Sequence, residues 1–188
     1  MSDVEQSLPY VHDWWFDAVS ATFRVLETFD EVATGAWEPL RCDIRGKVYR
    51  ALQDYPELAG RTVTVGRLDP DRDDLSGQAW PHNDLIMFHA DRPTSFQAVY
   101  HELGHLAIHA LDRRGEDVPP TSEEFCSIFS VARMPPHLVN RDTIAYIGEP
   151  SVPSHEWPDI CRRALGYRDE NGAGSHYVKR CRGWLGVG

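Results

Sequence analysis

Lysine is nearly missing from this chain: of nineteen basic residues only Lys47 and Lys179 are lysines, and twenty-nine acidic residues leave a formal net charge of −10. A surface of that sign repels nucleic-acid phosphates, which argues against direct nucleic-acid binding. Nor does any helix-turn-helix stand out. Long apolar runs are also lacking; none approaches the roughly 18 residues of a membrane span, and Met1–Gln6 has neither the basic nor the apolar region of a secretion signal. A cytoplasmic protein with no membrane partner is therefore expected. Cys42, Cys126, Cys161 and Cys181 include no Cys-x-x-Cys pair, which removes support for a disulfide framework or a structural zinc knuckle. Reduced, mostly buried thiols are expected instead. With 188 residues, 41% of them hydrophobic, the chain is long enough for one core and a small appendage.

What is present is concentrated in Phe96-Gln97-Ala98-Val99-Tyr100-His101-Glu102-Leu103-Gly104-His105, which writes His-Glu-x-x-His inside an apolar, helix-compatible segment. Two histidines four residues apart share a helix face about 6 Å apart along the axis, so two imidazoles can close on one cation. Glu102 lies one step round the helix and can reach a metal-activated water without being a ligand. This is the division of labour of a zinc hydrolase: neutral imidazoles hold the ion and the glutamate takes the proton. With nine His and twelve Glu in the chain, chance alone supplies roughly 0.03 such matches. Context adds to the motif, because Phe96, Val99, Leu103, Leu106 and Ala107 mark a half-buried helix rather than a solvated one. Gly104, inside that helix, marks a close approach of another backbone.

A catalytic zinc site takes three protein ligands and keeps one position open. A third histidine six residues after His105 is excluded, since position 111 is Leu. Residues 121–134 read as a second helix, entered through an N-cap candidate and carrying apolar residues at 125, 128, 129 and 132. It offers Glu124, with Glu123 as the rival; an acidic residue in a first helical turn also complements the dipole without any further role. Helical geometry places Glu124 with Ile128 and the inward Val131, and Glu123 with Ser127 and Ser130. That favours Glu124 as the third ligand. His109 continues the row but lies two turns from His101 and is expected to be a helix C-terminal histidine.

These residues resemble the ImmA/IrrE-type zinc metallopeptidases of the gluzincin group, over about residues 60 to 135. The likeness lies in Phe96 ahead of His101-Glu102-Leu103-Gly104-His105, His109 after it, then Glu124, and Met134-Pro135 at the end of the second helix. In that family the acidic ligand precedes the proline by eleven residues, the spacing from Glu124 to Pro135. The resemblance implies an endopeptidase that cleaves a protein, in some members a transcriptional repressor, with one Zn²⁺ held by His101, His105 and Glu124 and with Glu102 as catalytic base. It also implies a small sheet ahead of the metal-binding helix.

The expected fold is α+β: a small zincin-like domain over residues 1–135, with N-terminal helices, a short twisted sheet of about three strands and two antiparallel metal-binding helices. Residues 136–188 form an extension packed on or capping it. The first N-terminal helix is read over about residues 9 to 30 from Val11, Trp14, Trp15, Ala18, Val19, Phe23, Leu26 and Phe29, and the second over about 37 to 53. Strands are expected at Arg61–Gly66 and Asp84–His89, the latter as an edge bordering the substrate cleft. Tyr146, His137 and His82 are unranked candidates for stabilising an oxyanion. Two further functions fit the same residues: a non-proteolytic regulatory or toxin-antitoxin-type binding protein on a zincin scaffold, and a metal hydrolase of a non-peptide amide.

Overall fold

The computed structural model describes the strands at residues 11–13 and 24–28, and residues 42–188 apart from 69–74, 90–91, 117–121 and 141; side chains are described from Asp43 onward, Arg45 excepted. The fold is α+β. Thr62–Arg67 (β3) and Leu85–Phe88 (β5) pair in parallel, and Gln78–Trp80 (β4) pairs antiparallel with β5. Both β3 and β5 alternate along their length, so Val63, Val65, Ile86 and Phe88 all fall on one buried face. β3 and β5 are the strands expected at 61–66 and 84–89 ahead of the long helix, and β4 joins them from the segment between.

Two more strands extend the sheet on the β3 side. Val11–Asp13 (β1) and Arg24–Thr28 (β2) are antiparallel to each other, and β2 runs parallel to β3, giving the order β1-β2-β3-β5-β4. The helix expected over 9–30 is thereby corrected. Helical spacing records which residues are apolar but is blind to the open edge of β3, whose backbone donors and acceptors gain partners when a strand is laid beside them. Of the helix expected over 37–53, Cys42–Leu52 (α1) forms, and positions 37–41 lie outside the described residues. A second correction concerns the sheet edge. β5 lies between β3 and β4, so it is not an edge strand, and the sheet ends at this side in β4.

The long helix is Phe96–Arg113 (α2). It begins where Ser95 Oγ accepts from the Ala98 N–H at 3.1 Å and ends at Gly115, whose φ of 76° suits a residue without Cβ. Glu123–Arg133 (α3) starts in the same way, with Ser122 Oγ accepting from the Phe125 N–H at 3.2 Å, and stops at Met134 before Pro135. The buried face of α2 packs on α1 and α3, and Leu103, Leu106 and Ile108 are fully buried. Each such side chain stabilises the fold by roughly 1.5–3 kcal/mol.

Trp157–Asn171 (α4) and Tyr177–Leu185 (α5) pack against α3 and each other. Trp157, Cys161, Ala164, Tyr177, Cys181 and Leu185 belong to the same buried cluster as Ile44, Val48 and Leu103, so one core runs from α1 to α5. Among the described residues no helix is long and apolar enough to cross a membrane.

The crossing of α2 and α3 depends on Gly104. A Cβ built there would collide with Ser130 Oγ and lie 3.0 Å from Cys126 Sγ, with the Cys126 carbonyl at 3.7 Å. The close neighbours are thus mainly the small side chains of α3. Overpacking of this kind costs ~1–3 kcal/mol, against about 1 kcal/mol gained from helix propensity. Gly104→Ala is therefore expected to lower the stability measured by denaturant titration, and adding Ser130→Ala to restore part of it; an unchanged midpoint in the single variant would show that the crossing tolerates the methyl group.

Candidate metal centre

Three donor atoms meet on the cleft side of this crossing. Glu123 Oε2 lies 2.9 Å from His101 Nε2 and 3.3 Å from His105 Nε2, and the two imidazole nitrogens are 3.3 Å apart. Ligand atoms held about 2.0–2.2 Å from a tetrahedral ion lie roughly 3.3–3.5 Å from one another. The triangle therefore has close to the dimensions of three corners of such a shell. His101 Nδ1 faces Ser127 Oγ at 3.2 Å; with an ion present, donation from Nδ1–H to that hydroxyl would turn the Nε2 lone pair toward it. Two neutral imidazoles and one carboxylate are a donor set suited to Zn²⁺.

The carboxylate in this triangle belongs to Glu123, not Glu124, which corrects where the sequence reading placed the acid. Ser122 caps α3, so Glu123 opens the helix and projects over the cleft with Ser127, Ser130 and Val131. Glu124 stands on the side near Tyr177, whose hydroxyl it helps push up after burial. The expectation went astray by assigning the apolar face of α3 to the metal. That face is consumed by packing, Phe125 against Tyr177 at 6.1 Å being one contact, whereas the side turned to the histidines is lined with serines.

The Cys126 thiol is also near, within 4.8 Å of the histidine donor atoms. Its Sγ donates to the His101 carbonyl oxygen at 3.1 Å, and burial pushes the thiol well above its ordinary range. A ligand must be a thiolate. Glu123 lies nearer and is held below its usual carboxylate range by its hydrogen bond with His101, so it is the better third donor. Burial lowers the pKa of His105, which favours the neutral, ligating imidazole.

Glu102 sits beside the triangle, buried at 7% exposure. Burial pushes its carboxyl up to about 7, with Glu123 adding to the rise and His101 opposing it. Gly77, just before β4, is what lets the sheet edge come this close: a Cβ there would lie 3.0 Å from Glu102 Cγ and Oε1 and 2.9 Å from Phe88 Cε1. The cleft, of about 670 Å³, runs between residues 75–81 on the β4 side and residues 143–146 opposite, with the α2 and α3 donors at its floor. None of Leu85 to His89 lines it, so the strand bordering the cleft is β4.

Of the three oxyanion candidates, Tyr146 lines the cleft and stacks on His101 with centroids 5.7 Å apart and planes 22° from parallel. Its backbone is left-handed, φ 59°, a conformation that costs a bulky residue roughly 1–2 kcal/mol. Burial of the ring, followed by Glu123 and Glu102, raises its hydroxyl pKa. His82 instead meets His109 edge-on at 4.5 Å, and His137 is exposed in a short 3-10 turn; neither lines the cleft. The sequence reading gave Gly77, Ser127 and Cys126 no role at the site. Only Ser127 left a signal, its i+4 spacing from Glu123.

No family model, curated protein or solved structure matches the chain.

Replacing a ligand should cost more metal affinity than the 10–100-fold typical of groups that merely orient one. Glu123→Ala is expected to weaken Zn²⁺ binding by at least about 100-fold in a chelator competition titration, with Glu124→Ala unchanged. The opposite ranking would return the third position to Glu124.

Proposed function

We propose that this cleft is the active site of a zinc-dependent metallopeptidase hydrolysing a peptide bond in a protein substrate, a regulatory protein such as a repressor being one candidate. The observation that carries the proposal is the triangle of His101 Nε2, His105 Nε2 and Glu123 Oε2 beside a buried Glu102. Resemblance to ImmA/IrrE-type peptidases supports it through the His-Glu-Leu-Gly-His run. With Glu123 as ligand, the acid-to-proline spacing becomes twelve, from 123 to 135, one longer than the family pattern.

His101, His105 and Glu123 would hold the ion, which when bound supplies a Lewis acid for the scissile carbonyl and acidifies a water. Glu102 takes the proton from the attacking water. As the C–N bond breaks, Glu102 returns that proton to the leaving nitrogen. A carboxyl poised near neutrality serves both steps, and the apolar packing that buries it provides this tuning.

The substrate class is argued from the cleft's border. Among the described residues β4 is paired on one side only, and an extended peptide added to its other side would gain main-chain hydrogen bonds. Glu123, 45% exposed, and Tyr146, 55% exposed, lie in an open groove rather than a closed chamber. This favours a peptide over a small non-peptide amide.

Two experiments test the proposal. Glu102→Gln should keep one Zn²⁺ per chain and lose turnover by roughly 10²–10⁴-fold, read by mass spectrometry of proteins encoded beside this one and co-expressed with it. Full activity in a correctly folded Glu102→Gln protein would refute the base assignment. The second addresses a closed, non-catalytic metal site with Cys126 as fourth ligand, the arrangement a zincin-scaffold binding protein would use. Cys126→Ser is expected to retain stoichiometric zinc at unchanged affinity, and a large loss would favour that structural site.

A further inference from the structure

Residues 136–188 take no part in the chemistry above, yet they reach the cleft. The turn at residues 144–148 closes on itself, the Ile144 N–H donating to the Gly148 carbonyl at 2.8 Å. It is then held from outside. Arg182, on α5, donates from Nη2 to the Tyr146 carbonyl at 2.8 Å and from Nε to the Ile147 carbonyl at 3.1 Å. A planar guanidinium that grips two successive carbonyls fixes the orientation of the turn, and a lysine ammonium cannot reproduce that fork. The chain end adds a second hold: a Cβ on Gly148 would lie 2.6 Å from Val187 Cγ1, and the Ser151 N–H donates to the Leu185 carbonyl at 3.0 Å. From α2, one turn before His101, Gln97 Nε2 donates to the Thr143 carbonyl at 3.3 Å.

The Arg182 and Val187 contacts fall on the backbone of a turn whose middle residue, Tyr146, is left-handed and stacked on His101, and the contacts at Thr143 and Ser151 flank it. Backbone strain at a bulky side chain persists only where the surroundings impose it.

We propose that the C-terminal helix is a positioning device for the metal centre, with Arg182 holding the turn so that the Tyr146 hydroxyl donates a hydrogen bond to the carbonyl oxygen of the scissile bond. The inference rests on the metallopeptidase proposal. As water adds to the carbonyl carbon, the C=O π pair moves onto that oxygen and Glu102 holds the water's proton. Tyr146 keeps its own proton throughout and lends it as a hydrogen bond to the developing charge. When the C–N bond breaks, the pair returns to C=O and the proton on Glu102 passes to nitrogen. Tyr146 is the catalytic residue here and Arg182 a positioning residue.

The test uses the full chain loaded with Co²⁺ and titrated with acetohydroxamate, whose oxygens stand in for the carbonyl oxygen and the attacking water. Visible absorption of the cobalt reports both metal loading and hydroxamate binding. Tyr146→Phe is expected to keep Co²⁺ stoichiometry and weaken acetohydroxamate by about tenfold, as for the loss of one hydrogen bond. Arg182→Ala should weaken it similarly and Arg182→Lys less. Combined with Tyr146→Phe, Arg182→Ala should add nothing, because its effect is transmitted through the tyrosine. Wild-type affinity in Tyr146→Phe, or an Arg182→Ala effect that persists in full without the hydroxyl, overturns the inference while leaving the metal centre intact. Failure of the wild-type chain to bind Co²⁺ would overturn the metal centre and this inference together.

Discussion

The close crossing of α2 and α3 at Gly104 is the constraint on which the site depends. Without a side chain there, Cys126 and Ser130 come against α2. Cys126 then bonds to the His101 carbonyl and Ser127 to the His101 ring, and one turn earlier Glu123 stands over both Nε2 atoms. The helices are fastened to each other through the histidine that the proposed chemistry needs. Separating them to make room at residue 104 would move the acid away from the rings, so the packing constraint and the donor geometry are one feature.

The polar groups at this crossing would suit the proposed cation. Burial lowers the His105 pKa, its hydrogen bond with His101 lowers that of Glu123, and burial raises that of Glu102. These shifts favour a neutral His105 imidazole, an ionised carboxylate on the open side and a second carboxyl poised to exchange a proton. Burying such groups is costly unless they are bonded or coordinated. Most of the cost is met by contacts already present, Ser127 on His101 and Glu123 across the pair, and a bound ion would meet the rest.

The remaining elements set the boundaries of the cleft. Gly77 lets the β4 end of the sheet approach Glu102, while the turn carrying Tyr146 forms the opposite wall and is held from α2 and α5. α5 in turn is anchored in the same core as α1, since Tyr177, Cys181 and Leu185 share its buried cluster. A segment remote in sequence from the histidines is thereby mechanically continuous with them.

Much of this was legible in order of how local its causes are. The long helix, its histidine row and Glu102 follow from i,i+4 spacing within one element, and Ser95 and Ser122 mark helix starts by side-chain chemistry that acts over three residues. Strands β3 and β5 were readable from alternating Val63, Val65, Ile86 and Phe88. Elsewhere the cause was not local. Which face of α3 met the histidines was decided by what packed on its apolar side, so Glu123 displaced Glu124. Residues 9–30 carried a helical pattern, yet β1 and β2 formed because β3 had an edge to fill. Tyr146 could not be told apart from His82 or His137 until the fold put it, alone of the three, in the cleft lining. The amino-acid order alone determined the residue types and the spacing that put two imidazoles and the Glu102 carboxyl on one helix. Tertiary structure decided which acid, which strand edge and which tyrosine faced them, because those depend on packing between segments far apart in the chain.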